Sequence, residues 1–247
     1  MRWRSIFSYY GGKSKIAALY PEPKHDLIIE PFAGAAAYGF RHGRRESGRT
    51  VWLNDLDPIT GSIWEFLLNP DAAEWIRQSW PANVEAGRLI PDVLPNDSPT
   101  GLIELARAEA NQGTQGARSV HNVITTMGAK CWPRTKRKLL EIIPQISHWR
   151  FTQRDYRQLR YPHDATWFID PPYSNPAGDW YRFGTRQMDY TALSEWIKGP
   201  SVSGQKIVCE NVGADWLDFV ELPHKRKVGI IGRYHSGGQR EAVWTEG

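Results

Sequence analysis

The chain has 247 residues, 40% of them apolar and 23% charged, with 12 Trp, 10 Tyr and 8 Phe. That is enough for one large domain or one and a half, and it excludes a disordered or low-complexity protein. The net charge of +4, with pI near 9.0, permits a polyanionic partner without requiring one. The first informative stretch is Phe7-Ser8-Tyr9-Tyr10-Gly11-Gly12-Lys13. Its glycines let backbone approach a ligand, and Lys13 can reach a carboxylate or phosphate. Ile16, Leu19 and Tyr20 follow with helical spacing, which predicts a helix from about Ser14. Taken alone, this is equally a Gly-Gly turn ahead of a surface helix.

Leu27, Ile28 and Ile29 read as a parallel strand buried on both faces. Glu30-Pro31-Phe32-Ala33-Gly34 is a tight turn, and the small residues from Ala33 to Ala37 let a helix start close against it. The unit has the strand–turn–helix shape of a nucleotide-type site but neither GxGxxG nor a P-loop, so a nucleoside-like cofactor without a pyrophosphate is expected. Val51-Trp52-Leu53-Asn54-Asp55 is a second strand ending in an acid, about 20 residues on, where ribose hydroxyls bind. A helix cap ahead of Pro58 would also explain Asp55.

Residues 69–148 leave the alternating pattern. A helix is expected at Ala72–Ser79, in an otherwise irregular stretch holding Pro70, Pro81, Pro91, Pro95 and Pro99, and a second helix at Gly101–Gln112. Arg118, Lys130, Arg134, Lys136, Arg137 and Lys138 then come with no Asp or Glu between them, interleaved with Asn122, Thr125, Thr126 and Trp132. That is the composition of a surface meeting phosphates and base edges, or of a solvated basic helix face. A strand is read at Trp149–Thr152, followed by Asp155-Tyr156.

Trp167, Phe168 and Ile169 end a short buried strand, read over residues 166–169, and Asp170-Pro171-Pro172-Tyr173 follows. The prolines stop the strand and stiffen the loop. A carboxylate, a carbonyl and an aromatic face at the carboxyl end of a strand suit a flat molecule carrying an NH2 group. An ordinary strand end with a Pro-Pro turn is the plainer account. The polar stretch Ser174–Tyr181 reads as a mobile loop closing over the target. A helix at Tyr190–Ile197 and strands at Lys206–Cys209, Lys227–Ile231 and Glu241–Thr245 complete the pattern. Residues 223–240 carry Lys225, Arg226, Lys227, Arg233 and Arg240 without an acid, a second phosphate-facing candidate or a basic hairpin edge.

The order of these stretches (aromatic-Gly-Gly-Lys, Glu-Pro-Phe-x-Gly, Asn-Asp-x-Asp, then Asp-Pro-Pro-Tyr) resembles the S-adenosylmethionine-dependent DNA adenine-N6 methyltransferases whose cofactor motifs precede the catalytic one. The resemblance covers roughly residues 7–68 and 149–246. It implies an α/β, Rossmann-like methyltransferase fold with a mostly parallel sheet, split by a small insert. Residues 1–68 and 149–247 would form the catalytic domain and residues 69–148 a target-recognition region. It implies S-adenosylmethionine as cofactor, contacted by Tyr9, Tyr10, Gly12, Lys13, Glu30, Pro31, Phe32, Ala33, Gly34, Asp55, Asp155 and Tyr156. Lys13 falls on the methionine part, Asp55 on the ribose, and Asp155-Tyr156 beside the adenine. Ala36 replaces the usual second glycine of the turn. Asp170, Pro171, Pro172 and Tyr173 become the catalytic group, acting on a flipped adenine in DNA.

Two rivals stay open: the same chemistry on RNA or on cytosine N4, and a non-catalytic nucleic-acid-binding protein on a decayed methyltransferase fold. Cys131 and Cys209 lack zinc spacing, so no structural metal and a reduced cytoplasmic setting are expected. With no signal-peptide h-region and no apolar run near about 18 residues, the sequence reads as soluble, without a membrane partner. Oligomeric state is not legible.

Overall fold

The computed structural model describes residues 5–111, 122–223 and 240–247. Seven strands form one sheet: β1 (Leu27–Glu30), β2 (Thr50–Asn54), β3 (Arg150–Thr152), β4 (Ala165–Ile169), β5 (Gly204–Asn211), β6 (Val220–Glu221) and β7 (Glu241–Glu246). Their spatial order is β3-β2-β1-β4-β5-β7-β6. The first five strands pair in parallel, while β7 runs antiparallel to both β5 and β6. This is an α/β, Rossmann-like fold with a mostly parallel sheet. The chain winds outward from β1 to β3 on one side and from β4 on the other. The switch point therefore lies between β1 and β4, where open α/β sheets hold ligands at the strand carboxyl ends.

Alternation along the strands supplies two faces. Ile28, Leu53, Phe168 and Ile207 point to one core, shared with Trp64 of α2 (Pro58–Leu67), Leu105 of α4 (Thr100–Ala110) and Leu139 of α5 (Thr126–Ile146). Ile29, Trp167, Ile169 and Val208 point to the other, closed by Leu193 and Ile197 of α6 (Tyr190–Lys198). Burial on both sides explains why β4 is apolar at nearly every position. The remaining helices are α1 (Ala37–His42) and α3 (Ala72–Ser79).

Residues 69–148 carry α3, α4 and α5, and their apolar side chains join the larger core: Trp80 of this region stacks on Trp132 at 4.4 Å. The helix expected from Ser14 is instead a single 3-10 turn, Ala17–Leu19. The Lys13 carbonyl takes the Ile16 and Ala17 N–H groups, and Pro21 and Pro23 then prevent continuation. The strand expected at Lys227–Ile231 lies outside the described residues. Among the described residues, no helix is long and apolar enough to cross a membrane.

Candidate active site

A cavity of about 280 Å³ opens at the carboxyl ends of β1, β2 and β4. The turn after β1 forms its floor. Gly34 sits at φ 47°, and a Cβ there would lie 2.7 Å from the Tyr9 ring, so this position needs glycine. The turn is pinned by Ala33 N–H on the Asn54 carbonyl (2.9 Å), Gly34 N–H on Asp55 Oδ2 (2.9 Å) and Trp64 Nε1–H on the Gly34 carbonyl (2.8 Å). Ala36 also adopts the left-handed region, at φ 47°, and its carbonyl accepts the Phe40 N–H. Glu30, at the end of β1, accepts the Gly39 N–H, and burial lifts its carboxyl to about 8.

Asp55 follows β2. Its Oδ2 holds Gly34 and its Oδ1 accepts the Asp57 N–H at 2.9 Å. Burial lifts its carboxyl to about 6, against the pull of those N–H groups. The helix cap is Asp57, which accepts the Ile59 N–H ahead of Pro58. Asp55 is thus left lining the cavity. On the far wall, Phe32 tilts against Tyr156 at 5.4 Å, with Trp196 behind it at 5.1 Å, an apolar slot suited to a flat ring. Asp155 caps the 3-10 turn Tyr156–Gln158, and Arg157 binds both its oxygens and holds its carboxyl low.

Lys13 crosses from the N-terminal segment to β4. Its Nζ lies 2.8 Å from each oxygen of Asp170, donates to the Gly11 carbonyl at 3.1 Å, and sits 4.7 Å from the Tyr173 ring centre. Burial alone would lower the ammonium, but Asp170 and then Glu241 hold it above its usual range. Asp170 keeps 20% of its side chain open. Burial lifts its carboxyl to about 6, against Lys13. Among the described residues, the Pro171 carbonyl accepts no hydrogen bond, whereas the Pro172 carbonyl takes Tyr190 OH (2.7 Å) and the Tyr173 carbonyl takes Thr185 Oγ1 (3.0 Å). Asp170 and Pro172 line the cavity; Pro171 and Tyr173 stand behind that wall.

All twelve residues expected at the cofactor line this one cavity, brought together from four separate stretches of chain. Of the loop expected to close over the target, Ser174–Tyr181, Tyr181 lines the same cavity, and the residues after it add to the lining. Tyr181 OH reaches the Tyr10 carbonyl at 3.3 Å, Arg182 Nε lies 3.3 Å from Asp57, and Phe183, Met188 and Asp189 complete the lining. Arg154, Arg182, Phe183, Met188 and Asp189 went unread in the sequence, because no local pattern marks a loop side chain that folds back. Trp180, in the same loop, is 58% exposed.

The basic run divides. Arg118 lies outside the described residues. Lys130, Arg134 and Arg137 are exposed along one side of α5. Lys138 is a correction: helical phase turns it into the core, where it pairs with Glu109 at 3.0 Å. Lys136 is another, since it donates to the Arg77 and Trp80 carbonyls at the end of α3 (2.9 and 2.6 Å). Asn122 Oδ1 accepts from Arg107 Nε at 2.8 Å. Of these, Asn122, Lys130, Arg134, Lys136, Arg137 and Lys138 do not line the cavity. Arg240, from the second basic stretch, pairs with Glu221 at 2.9 Å.

No family model matches the chain, and no curated protein matches it. Among solved structures it is similar to the rRNA methyltransferase aviRa from Streptomyces viridochromogenes, with a TM-score of 0.41 and 13% identity over 94% of this chain and 81% of that one.

Proposed function

We propose that the chain is an S-adenosylmethionine-dependent methyltransferase acting on the N6 amine of adenine in DNA. The observation that carries this reading is the Asp170 carboxylate at the end of β4, which lines a cavity at the sheet's switch point; among the described residues the adjoining Pro171 carbonyl accepts no hydrogen bond. The cavity suits the cofactor: it offers an aromatic slot at Phe32 and Tyr156, an acid at the end of β2, and a glycine turn without a phosphate cradle.

When bound, S-adenosylmethionine supplies an electrophilic methyl on a sulfonium. Asp170 and the Pro171 carbonyl accept the two N6 hydrogens and favour a pyramidal nitrogen whose lone pair is available. The bound cofactor would supply the methyl group to that nitrogen and leave as the neutral thioether. The amine then sheds one proton toward Asp170 or water. Catalysis of this kind is positioning plus electrostatics. Residues 69–148 serve as the recognition region, with Lys130, Arg134 and Arg137 toward phosphates. We place the protein in the cytoplasm, where Cys131 and Cys209 stay free.

The test is incubation with methyl-labelled cofactor and mixed-sequence DNA or RNA, followed by digestion to nucleosides. N6-methyladenine from DNA is expected. Product only from RNA, or only N4-methylcytosine, would move the reading to a rival substrate, and no labelled product from either polymer would overturn it.

A further inference from the structure

Glu241 opens β7, held in register opposite Asn211 of β5. Two phenol hydroxyls converge on its Oε1. One is Tyr20, at 2.6 Å, and the other is Tyr173. Tyr20 is buried and fixed by the core, edge-on to Phe168 at 5.0 Å. Tyr173 belongs to the loop after Asp170, and its ring carries the Lys13 ammonium that bridges both Asp170 oxygens. Among the described residues no cation pairs with Glu241. Its charge instead acts on Lys13 and Asp170.

We propose that Glu241 is a positioning residue for the amine-binding loop: by gripping Tyr173 against the core-fixed Tyr20, it holds the Lys13–Asp170 pair in acceptor geometry. The inference rests on Asp170 being the amine acceptor. The grip is geometric because Glu241 fixes the Tyr173 hydroxyl end, while the ring packs on the larger core under Lys13, the side chain reaches Asp170 and the carbonyl takes Thr185. It is also electrostatic, because Glu241 places a second carboxylate beside a pair that has one lysine. The titratable groups facing this cluster are Lys13, Tyr20 and Tyr181, with Glu30 from β1, Asp170 and Tyr173 from the loop after β4 and Cys209 from β5.

The test variant is Glu241→Gln, nearly isosteric, compared with Tyr173→Phe. Parent and variants are assayed for kcat and KM on methylated-product formation from about pH 5 to about pH 9, with cofactor Kd by calorimetry. Tyrosine labelled with 13C at Cζ reports the hydroxyls directly, with Tyr20→Phe and Tyr173→Phe assigning the two resonances. Glu241→Gln should lower kcat about tenfold, the lower end for losing a hydrogen bond to a charged group. KM and cofactor Kd should stay within about twofold. The acid limb of kcat should move to lower pH, because a negative neighbour that favours protonation of Asp170 is gone. Both Cζ resonances should shift. Unchanged kcat and acid limb would overturn the proposal, as would a loss of kcat that comes with weakened cofactor binding and an unmoved limb. If the parent methylates no nucleic acid, the functional reading has failed, and the Cζ shifts still decide whether Glu241 grips the two tyrosines.

Discussion

Asp170 accepts an amine's hydrogens far more strongly while ionised, and its surroundings set the pH at which that begins. Burial raises its carboxyl to about 6, further than Lys13 pulls it back. Methyl transfer should therefore fall as pH drops through about 6, and a rate that is flat down to about pH 5 would contradict the acceptor role. Asp170→Ala should retain cofactor binding and lose single-turnover transfer by roughly 10²-fold or more, the scale of a positioned polar group. Ala36 poses a separate question of strain. Its left-handed backbone costs about 1–2 kcal/mol. Ala36→Gly would relieve that, but it frees the unfolded chain by about 0.4–1 kcal/mol. It also removes a buried methyl worth about 0.8 kcal/mol. Thermal melting should place Ala36→Gly within about 1 kcal/mol of the parent, and a loss above about 2 kcal/mol would show the turn is unstrained there. At this scale the sequence was partly readable. Asp170 and Gly34 stand out because prolines or small residues around them break a strand. Glu241 and Arg182 do not, because each reaches the site from a distant stretch that carries no pattern of its own.

α5 shows why composition misleads along a helix. Its basic residues read as one surface in the sequence, yet a period of 3.6 sends Lys138 inward and leaves Lys130, Arg134 and Arg137 outside. Thr125 caps the helix and also donates to the Ala110 carbonyl, while Gly128 lets α5 lie directly against the end of α4. Glu109 meets Lys138, Thr135 and the Ser8 N–H, which ties α5 to the N-terminal segment. Lys138→Met would remove the ammonium that pairs with that buried carboxylate. It should cost about 3–5 kcal/mol in chemical denaturation. A cost under about 1 kcal/mol would mean the pair is solvated. The length of α5 was not legible either, since Pro133 and Pro144 lie inside it and read as breakers. The strands were more legible, because burial on both faces makes them short, continuous apolar runs.

At the scale of the molecule, the question is where a polyanion would lie. The +4 charge is small, so any electrostatic path must be local. Replacing Lys130, Arg134 and Arg137 together with Gln should weaken DNA binding about equally across sequences. The slope of log affinity against log salt should flatten by about 0.9 for each phosphate that is no longer neutralised. Cofactor affinity should hold, because none of the three lines the cavity. An unchanged slope would send the path elsewhere, with residues 223–240 next in line.

The Glu241 grip also has a consequence for the order of assembly during synthesis. Tyr20 and Glu241 stand 221 positions apart, and Lys13 and Asp170 stand 157 apart. The turn at Gly34 and its Asp55 latch are local and are translated before residue 170. At about 5–20 residues per second, several seconds pass between the emergence of residue 170 and that of residue 241. Through that interval a nascent chain has the glycine turn and the Lys13–Asp170 partners but no acceptor for Tyr173. A chain arrested there should bind the cofactor before it can present a correctly held amine site, and a stop codon ahead of residue 241 should separate the two capacities.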